Sequence, residues 1–322
     1  MVPAEHPPAH DIDALALGCA SYDVLGTVDE FPPPDGKARI HDLKREGGGP
    51  AATAMVACAR LGMRTALIAK VGEDDEGRLI RAELEREGVD TSGLIVGSGQ
   101  RSLLGFCFAH RKSGQRIVYY YRSELPVLDP AQINARSVKR SPLLLIDSQE
   151  LRAGARAAEI ARGAGAVTVM DGGGVRSGVA EALPHIDYLV ASAGFALKHT
   201  GCDRIEPALE ALRWTGYHRA VVITLGEDGW IAAEGGRAPL RGEAFRVKTV
   251  DTTGAGDVFH GAFCFGLAQQ WPLEQICAFS AACAALKCRA LGGRAGAPRL
   301  AEALAFCREN ARRFTWPEPD RP

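Results

Sequence analysis

The chain has 322 residues, 46% of them hydrophobic, which suffices for one large α/β domain or a large domain carrying a small one. Its 38 Lys and Arg against 39 Asp and Glu give a formal charge of −1, so no global field selects nucleic acid or an anionic membrane. Nine scattered cysteines without a CxxC pair speak against a disulfide framework or a zinc site and fit small buried hydrophobes in a reducing cytoplasm.

Residues 1–12 carry prolines and histidines but no apolar core of the signal-peptide kind, and no later apolar run is long enough to cross a bilayer. We expect a disordered N-terminal segment there, one domain over 13–314, and a frayed tail over 315–322. Short apolar runs at 13–20, 65–72, 143–147, 167–171, 188–192 and 220–226 read as buried strands. Amphipathic stretches at 50–62, 76–88, 151–165 and 206–216 read as helices between them, which predicts a mostly parallel sheet covered on both faces. Two regions break this rhythm: 37–46, and the pair of runs in 102–122 joined by the turn at 111–114. Both alternate as hairpin strands do and predict a small projecting sheet able to act as a lid. After strand-like 245–250 comes DTTGAGD at 251–257, and then an Ala-rich helical region to the end.

In DTTGAGD the glycines let the backbone approach a ligand, and the free N–H groups of the following helix make an anion site. Asp257 stands in the first helical turn, where a carboxylate is also favoured by the helix dipole alone. The wider pattern resembles the ribokinase (PfkB-type) family of ATP-dependent carbohydrate kinases. The segment is the family's DTxGAGD signature, complete from Asp251 to Asp257. GGGPAATAMVACARLG at 47–62, KVGEDDEG with its downstream GVDT at 70–91, and VVITLGEDG at 221–229 match three further family segments. Four such segments in order over about residues 13–312 are far more specific than one glycine motif.

The resemblance implies a three-layer α/β/α ribokinase-like fold with a β-sheet lid, MgATP as phosphoryl donor, and a homodimer through the lid. It implies Asp257 as the base that takes the proton of a sugar hydroxyl, with Gly254, Ala255 and Gly256 completing an anion hole for the transferred phosphoryl group. Thr224, Gly226, Thr252 and Gly293 fall on the nucleotide side. Asp251 and Thr253 fall where many members bind a monovalent cation such as K+, together with carbonyls of the loop 288–298. On the sugar side the resemblance places Asp23, Gly48 and Gly49.

Three positions depart from the pattern. Thr53 stands where the family usually has Asn, and a hydroxyl cannot reproduce the donor-and-acceptor pattern of an amide. The wording of GGGPAATA and GGRAG is closest to the sulfofructose kinase branch. There a GK lysine, here Lys37, helps hold the sulfonate, but the branch's Asn and Arg become Tyr120 and Gln149. Finally, Ser192, Ala193, Gly194 and Phe195 occupy the family's NxxE positions, so Mg2+ must be held largely by phosphates and water. We therefore expect phosphorylation of a ketose or related sugar. Two alternatives stay open: a nucleoside kinase using the lid tyrosines Tyr119, Tyr120 and Tyr121 for stacking, and a non-catalytic binding regulator on the same fold.

Overall fold

The computed structural model describes residues 10–122, 125–215 and 218–318. In chain order the strands are β1 (Ala14–Leu17), β2 (Ser21–Val28), β3 (Ile40–Gly48), β4 (Thr65–Gly72), β5 (Val89–Gly97), β6 (Leu103–His110) and β7 (Arg116–Tyr121). They continue as β8 (Leu143–Ile146), β9 (Val167–Gly172), β10 (Tyr188–Ser192), β11 (Ala220–Thr224), β12 (Trp230–Glu234) and β13 (Leu240–Gly242). The helices are α1 (Pro50–Arg60), α2 (Asp75–Arg86), α3 (Ala135–Val138), α4 (Leu151–Gly163) and α5 (Val179–Ala182). After these come α6 (Ala193–Thr200), α7 (Ile205–Arg213), α8 (Ala255–Ala268), α9 (Leu273–Lys287) and α10 (Leu300–Asn310).

Nine strands form the main sheet in the order β13-β12-β11-β10-β9-β8-β1-β4-β5. It is parallel from β5 to β11, and β12 and β13 are added antiparallel at one edge. The central strands are apolar on both faces because both are covered. Leu145 and Val169 pack with α1, α2, α8, α9 and α10, while Leu144 and Met170 pack with α3 to α7. This is the three-layer fold that the alternating pattern predicted.

The lid is a second sheet of four strands, β3-β2-β6-β7, with β2 parallel to β6 and the other pairs antiparallel. Its strand β2 escapes the sequence reading because only Gly18, Cys19 and Ala20 separate it from β1, without a conventional turn. The chain passes directly from one sheet to the other at that point, which puts residue 23 at their junction. The expected lid strand at 37–46 begins instead at Ile40, after the Pro32-Pro33-Pro34-Asp35-Gly36 bend. The expected strand at 245–250 is irregular: Phe245 packs edge-on against Phe306, and the Val250 amide bonds to the Cys288 carbonyl at 2.8 Å instead of entering a ladder.

The ends are also more ordered than expected where they are described. Ile12 is buried, and Trp316 packs among Trp271, Phe279 and Phe314 while its indole N–H bonds to the Ala311 carbonyl. The rest of both expected disordered segments lies outside the described residues. The nine cysteines are free thiols, seven of them buried. Among the described residues no helix is long and apolar enough to cross a membrane.

Candidate active site

Gly254 caps α8 with φ of 75°, a left-handed conformation, and a Cβ there would sit 2.5 Å from the Gly293 carbonyl oxygen. Both facts demand glycine. The Ala255 amide turns back to the Thr252 carbonyl at 3.2 Å. The amides of Gly256 and Asp257 are first-turn groups for which helix geometry supplies no partner, and an added Cβ on Gly256 meets nothing within 4 Å. Of the turn's amides, those of Gly256 and Asp257 are thus the ones that helix geometry leaves for an outside acceptor.

The N-cap of α8 is Gly254, which has no side chain to close the helix, and Asp257 is the acidic residue of the first turn. Burial, reinforced by the nearby Asp171 and Asp23 carboxylates and opposed by His260 and Arg116, pushes its pKa up to about 6. His260 is buried one turn along α8, with Nδ1 2.6 Å from the Gly256 carbonyl, Nε2 3.0 Å from the Val190 carbonyl and 3.6 Å from Asp171 Oδ1. It ties the first turn of α8 to β10. Asp171 itself ends β9 and is buried.

Across the junction, Asp23 is buried on β2 and accepts a 2.7 Å hydrogen bond from the Ser21 hydroxyl. Added Cβ atoms at Gly48 and Gly105 would lie 2.0 and 2.4 Å from its oxygens, so two glycines make room for this carboxylate. Burial raises its pKa. Gly49, with φ of 89°, opens α1, and a Cβ there would strike the Cys19 carbonyl at 2.5 Å. Asp147, at the end of β8, holds this entry in place. Its carboxylate accepts from the amides of Cys19 (2.6 Å), Ala51 (3.2 Å) and Gln149 (2.9 Å), and burial pushes its pKa up to about 7. The sequence reading missed Asp147; its one signal is an acidic residue closing an apolar strand.

Thr53 is buried one turn into α1, and its hydroxyl accepts a long 3.4 Å contact from Arg294 Nε. The same guanidinium donates from Nη2 to the Gly48 carbonyl at 2.8 Å, and its Nη1 has no hydrogen-bond partner, with Glu83 3.9 Å away. Arg294, which the sequence reading also passed over, thus fills the space beneath the paired glycines where Thr53 is shorter than Asn. Gly293 lies between the Gly254 turn and Thr53.

The lid reaches the glycine turn through Arg116, whose Nη1 donates to the Thr252 hydroxyl at 2.8 Å. That hydroxyl in turn donates to the Gly114 carbonyl at 3.2 Å. Thr252 is committed to the lid. Behind the turn, Asp251 accepts from the Thr253 amide (Oδ1, 2.8 Å) and the Gly292 amide (Oδ2, 2.8 Å), and its carbonyl accepts from Lys287 Nζ at 2.7 Å. The Thr253 hydroxyl is buried without a hydrogen-bond partner.

Thr224 ends β11 with its hydroxyl 3.3 Å from the Ala191 carbonyl, and Gly226, at φ of 64°, starts the tight turn that follows. At the NxxE positions the Ser192 hydroxyl accepts from the Phe195 amide at 3.1 Å and so caps α6. No group of three or more His, Cys, Asp or Glu side chains suited to a metal ion occurs among the described residues. Tyr120 is exposed on β7 in the cross-strand row of Gly105 and Asp23, whereas Lys37 is exposed in the loop before β3. A cavity of about 700 Å³ beside Leu225, Phe245 and Phe314 contains none of these residues. The titratable groups gather instead at the junction of the two sheets.

The pfkB family carbohydrate kinase model matches residues 11–300. The chain is 30% identical over 290 residues to Fructokinase-1 of Oryza sativa subsp. japonica, covering 81% of this chain and 88% of that protein. It is 31% identical over 302 residues to an ATP-dependent ribose-1-phosphate kinase of Halopiger xanaduensis, covering 92% and 99%. A candidate ribokinase from Agrobacterium tumefaciens has the same fold, with a TM-score of 0.86, 26% identity, and coverage of 94% of this chain and 99% of that one. A complete glycine turn, a buried carboxylate beside it and a second carboxylate under the lid agree with the family match over residues 11–300: the chain belongs to the pfkB family of carbohydrate kinases, phosphotransferases that act on hydroxyl groups.

Proposed function

We propose that the chain transfers the γ-phosphoryl group of MgATP to a hydroxyl of a ketose or related sugar, with Asp257 as general base. The observation that carries this reading is the state of Asp257. It stands in the first turn of α8, just after the left-handed Gly254, and is held by burial at a pKa near the range where it can both accept and release a proton. In the step, the sugar hydroxyl loses its proton to Asp257 as its oxygen bonds to the γ-phosphorus; the bond from phosphorus to the ADP oxygen breaks, and ADP leaves with the electron pair. The Gly256 and Asp257 amides face the charge on the transferred group. Mg2+ belongs to the MgATP substrate. The Ser192–Phe195 stretch offers it neither carboxylate nor amide side chain, so phosphate and water oxygens would supply most of its ligands.

Asp23 is the sugar-hydroxyl acceptor on the other wall, with Gly48 and Gly49 beneath. Arg294 and Thr53 together replace the amide of the usual Asn. The nucleoside alternative draws on the exposed Tyr119, Tyr120 and Tyr121. The lid's other face presents Tyr22, Val24, Leu104, Phe106 and Phe108, half-buried, with Tyr119 exposed among them, and is the surface we assign to a homodimer.

A screen for ADP release over ketoses, aldoses, sugar acids, sulfosugars and nucleosides tests the reading. Turnover with a ketose supports it, and turnover confined to nucleosides replaces it with the nucleoside alternative. Silence on every compound, with one of them raising the melting temperature, favours a binding protein.

A further inference from the structure

The family resemblance implies a monovalent cation behind the glycine turn at Asp251 and Thr253, and the donors present there fit that ion poorly. All three oxygens of Asp251 already accept hydrogen bonds: Oδ1 from the Thr253 amide, Oδ2 from the Gly292 amide, and the main-chain carbonyl from Lys287 Nζ at 2.7 Å. Lys287 is the last residue of α9 and is fully buried. Its ammonium therefore delivers one positive charge, on a covalent tether, to the carbonyl three residues before Gly254. Burial pulls its pKa down, and the adjacent Asp251 carboxylate opposes that. The Thr253 hydroxyl is unpartnered, but in the loop 288–298 the Cys288 carbonyl already accepts from the Val250 and Asp251 amides, and the Arg294 and Ala297 carbonyls accept from Arg60, which leaves fewer of the oxygens that a bare cation needs in exchange for its water shell.

We propose that the Lys287 ammonium takes the place of a dissociable monovalent cation, so that the order of the glycine turn and its affinity for MgATP do not depend on K+. The inference rests on the proposed role of that turn as the phosphoryl anion site. An ion that must be bound from solution leaves when its concentration falls; a lysine on α9 is present whenever α9 is folded.

Wild-type protein and Lys287→Met are compared in KCl, NaCl and tetramethylammonium chloride at equal ionic strength, by melting temperature and by calorimetric titration with MgATP, without any sugar. The wild type should melt at one temperature and bind MgATP with one affinity in all three salts. Lys287→Met should bind MgATP about tenfold more weakly in tetramethylammonium chloride, the usual scale for losing a group that orients a site from behind, and KCl should restore part of the loss and raise the melting temperature. Selective tightening of MgATP binding to the wild type by KCl overturns the proposal. So does a Lys287→Met variant that binds as the wild type does in tetramethylammonium chloride. If that variant fails to fold, the salt comparison on the wild type decides alone. Because no sugar enters the experiment, its outcome is separate from that of the substrate screen.

Discussion

The glycine turn and the lid that faces it are specified by different kinds of atoms. At 251–257 the geometry is a property of the main chain: a left-handed Gly254 whose Cβ would press on the Gly293 carbonyl, and a first helical turn whose amides have no partner within the helix. Few sequences can make that shape, so the residues that make it also announce the reaction. On the lid side the main chain is an ordinary four-stranded sheet, and what matters is which side chains meet across it: Asp23 with Gly48 and Gly105, Thr53 with Arg294, Arg116 with Thr252. On the function proposed above, main-chain chemistry states the reaction and side-chain packing selects its substrate.

Breaking the turn should cost most. Asp257→Asn should lower kcat by at least ~10² while MgATP titration shows near-normal affinity; turnover near the wild-type rate would remove Asp257 from the role of base. The same carboxyl has a pH signature. Because its pKa lies near 6 and only the ionised form accepts a proton, kcat/KM should fall about tenfold per pH unit below that value. Raising a carboxyl's pKa in the fold means that the protonated form is preferred there, so ionisation above pH 6 costs stability. Asp257→Asn should therefore melt about 1–2 °C higher than wild type at pH 8, for roughly 1 kcal/mol relieved in a chain of this size, and the gain should vanish below pH ~4, where both native and unfolded carboxyls are protonated. An unchanged melting temperature at pH 8 would mean that burial does not strain this group.

Gly254→Ala attacks the same turn through its backbone. A β-carbon there must take a left-handed φ and push on the Gly293 carbonyl, a cost on the order of 1–3 kcal/mol, measurable by denaturant titration. A loss within error would show that the turn can relax.

What the sequence made legible follows the same division. The strands at 65–72 and 188–192 appear with the boundaries expected, since buried parallel strands are short apolar runs between glycines and helices. The turn and Asp257 were readable because glycine and acid at fixed offsets leave a local trace. Arg116, Lys287 and Arg294 left none, because these partners stand 36 to 246 residues away along the chain. No window of sequence contains both halves of such a contact. Strand β2 was hidden for a related reason: three residues between two sheets carry no turn signal, and only the hydrogen-bonded partners reveal that the chain has changed sheets.

The lid should respond more gently, and in KM. Arg116→Ala removes the donor that links β7 to the Thr252 hydroxyl and leaves Asp257 and both free amides in place. A single hydrogen bond from a charged group contributes about 1.5–3 kcal/mol, but Arg116 is exposed, and solvent screening reduces that to a few-fold rise in sugar KM. If kcat falls as far as it does in Asp257→Asn, Arg116 acts on the chemistry and is not a latch.

The smallest effect distinguishes a neutral from an anionic sugar. Lys37 is exposed ahead of β3, so its ammonium is screened, and a pair with a substrate anion should be worth at most ~1 kcal/mol, or about fivefold in KM. Lys37→Met should leave KM for a neutral ketose unchanged. For a sugar carrying a sulfonate, phosphate or carboxylate it should raise KM within that limit, by an amount that shrinks as salt is added. A larger rise that persists at high salt would mean that the loop folds over the bound sugar and takes Lys37 out of water. In that case the lid would have a charge-reading site in its closed state, and the contrast between a turn that fixes the reaction and a lid that only sorts by packing would need to be redrawn.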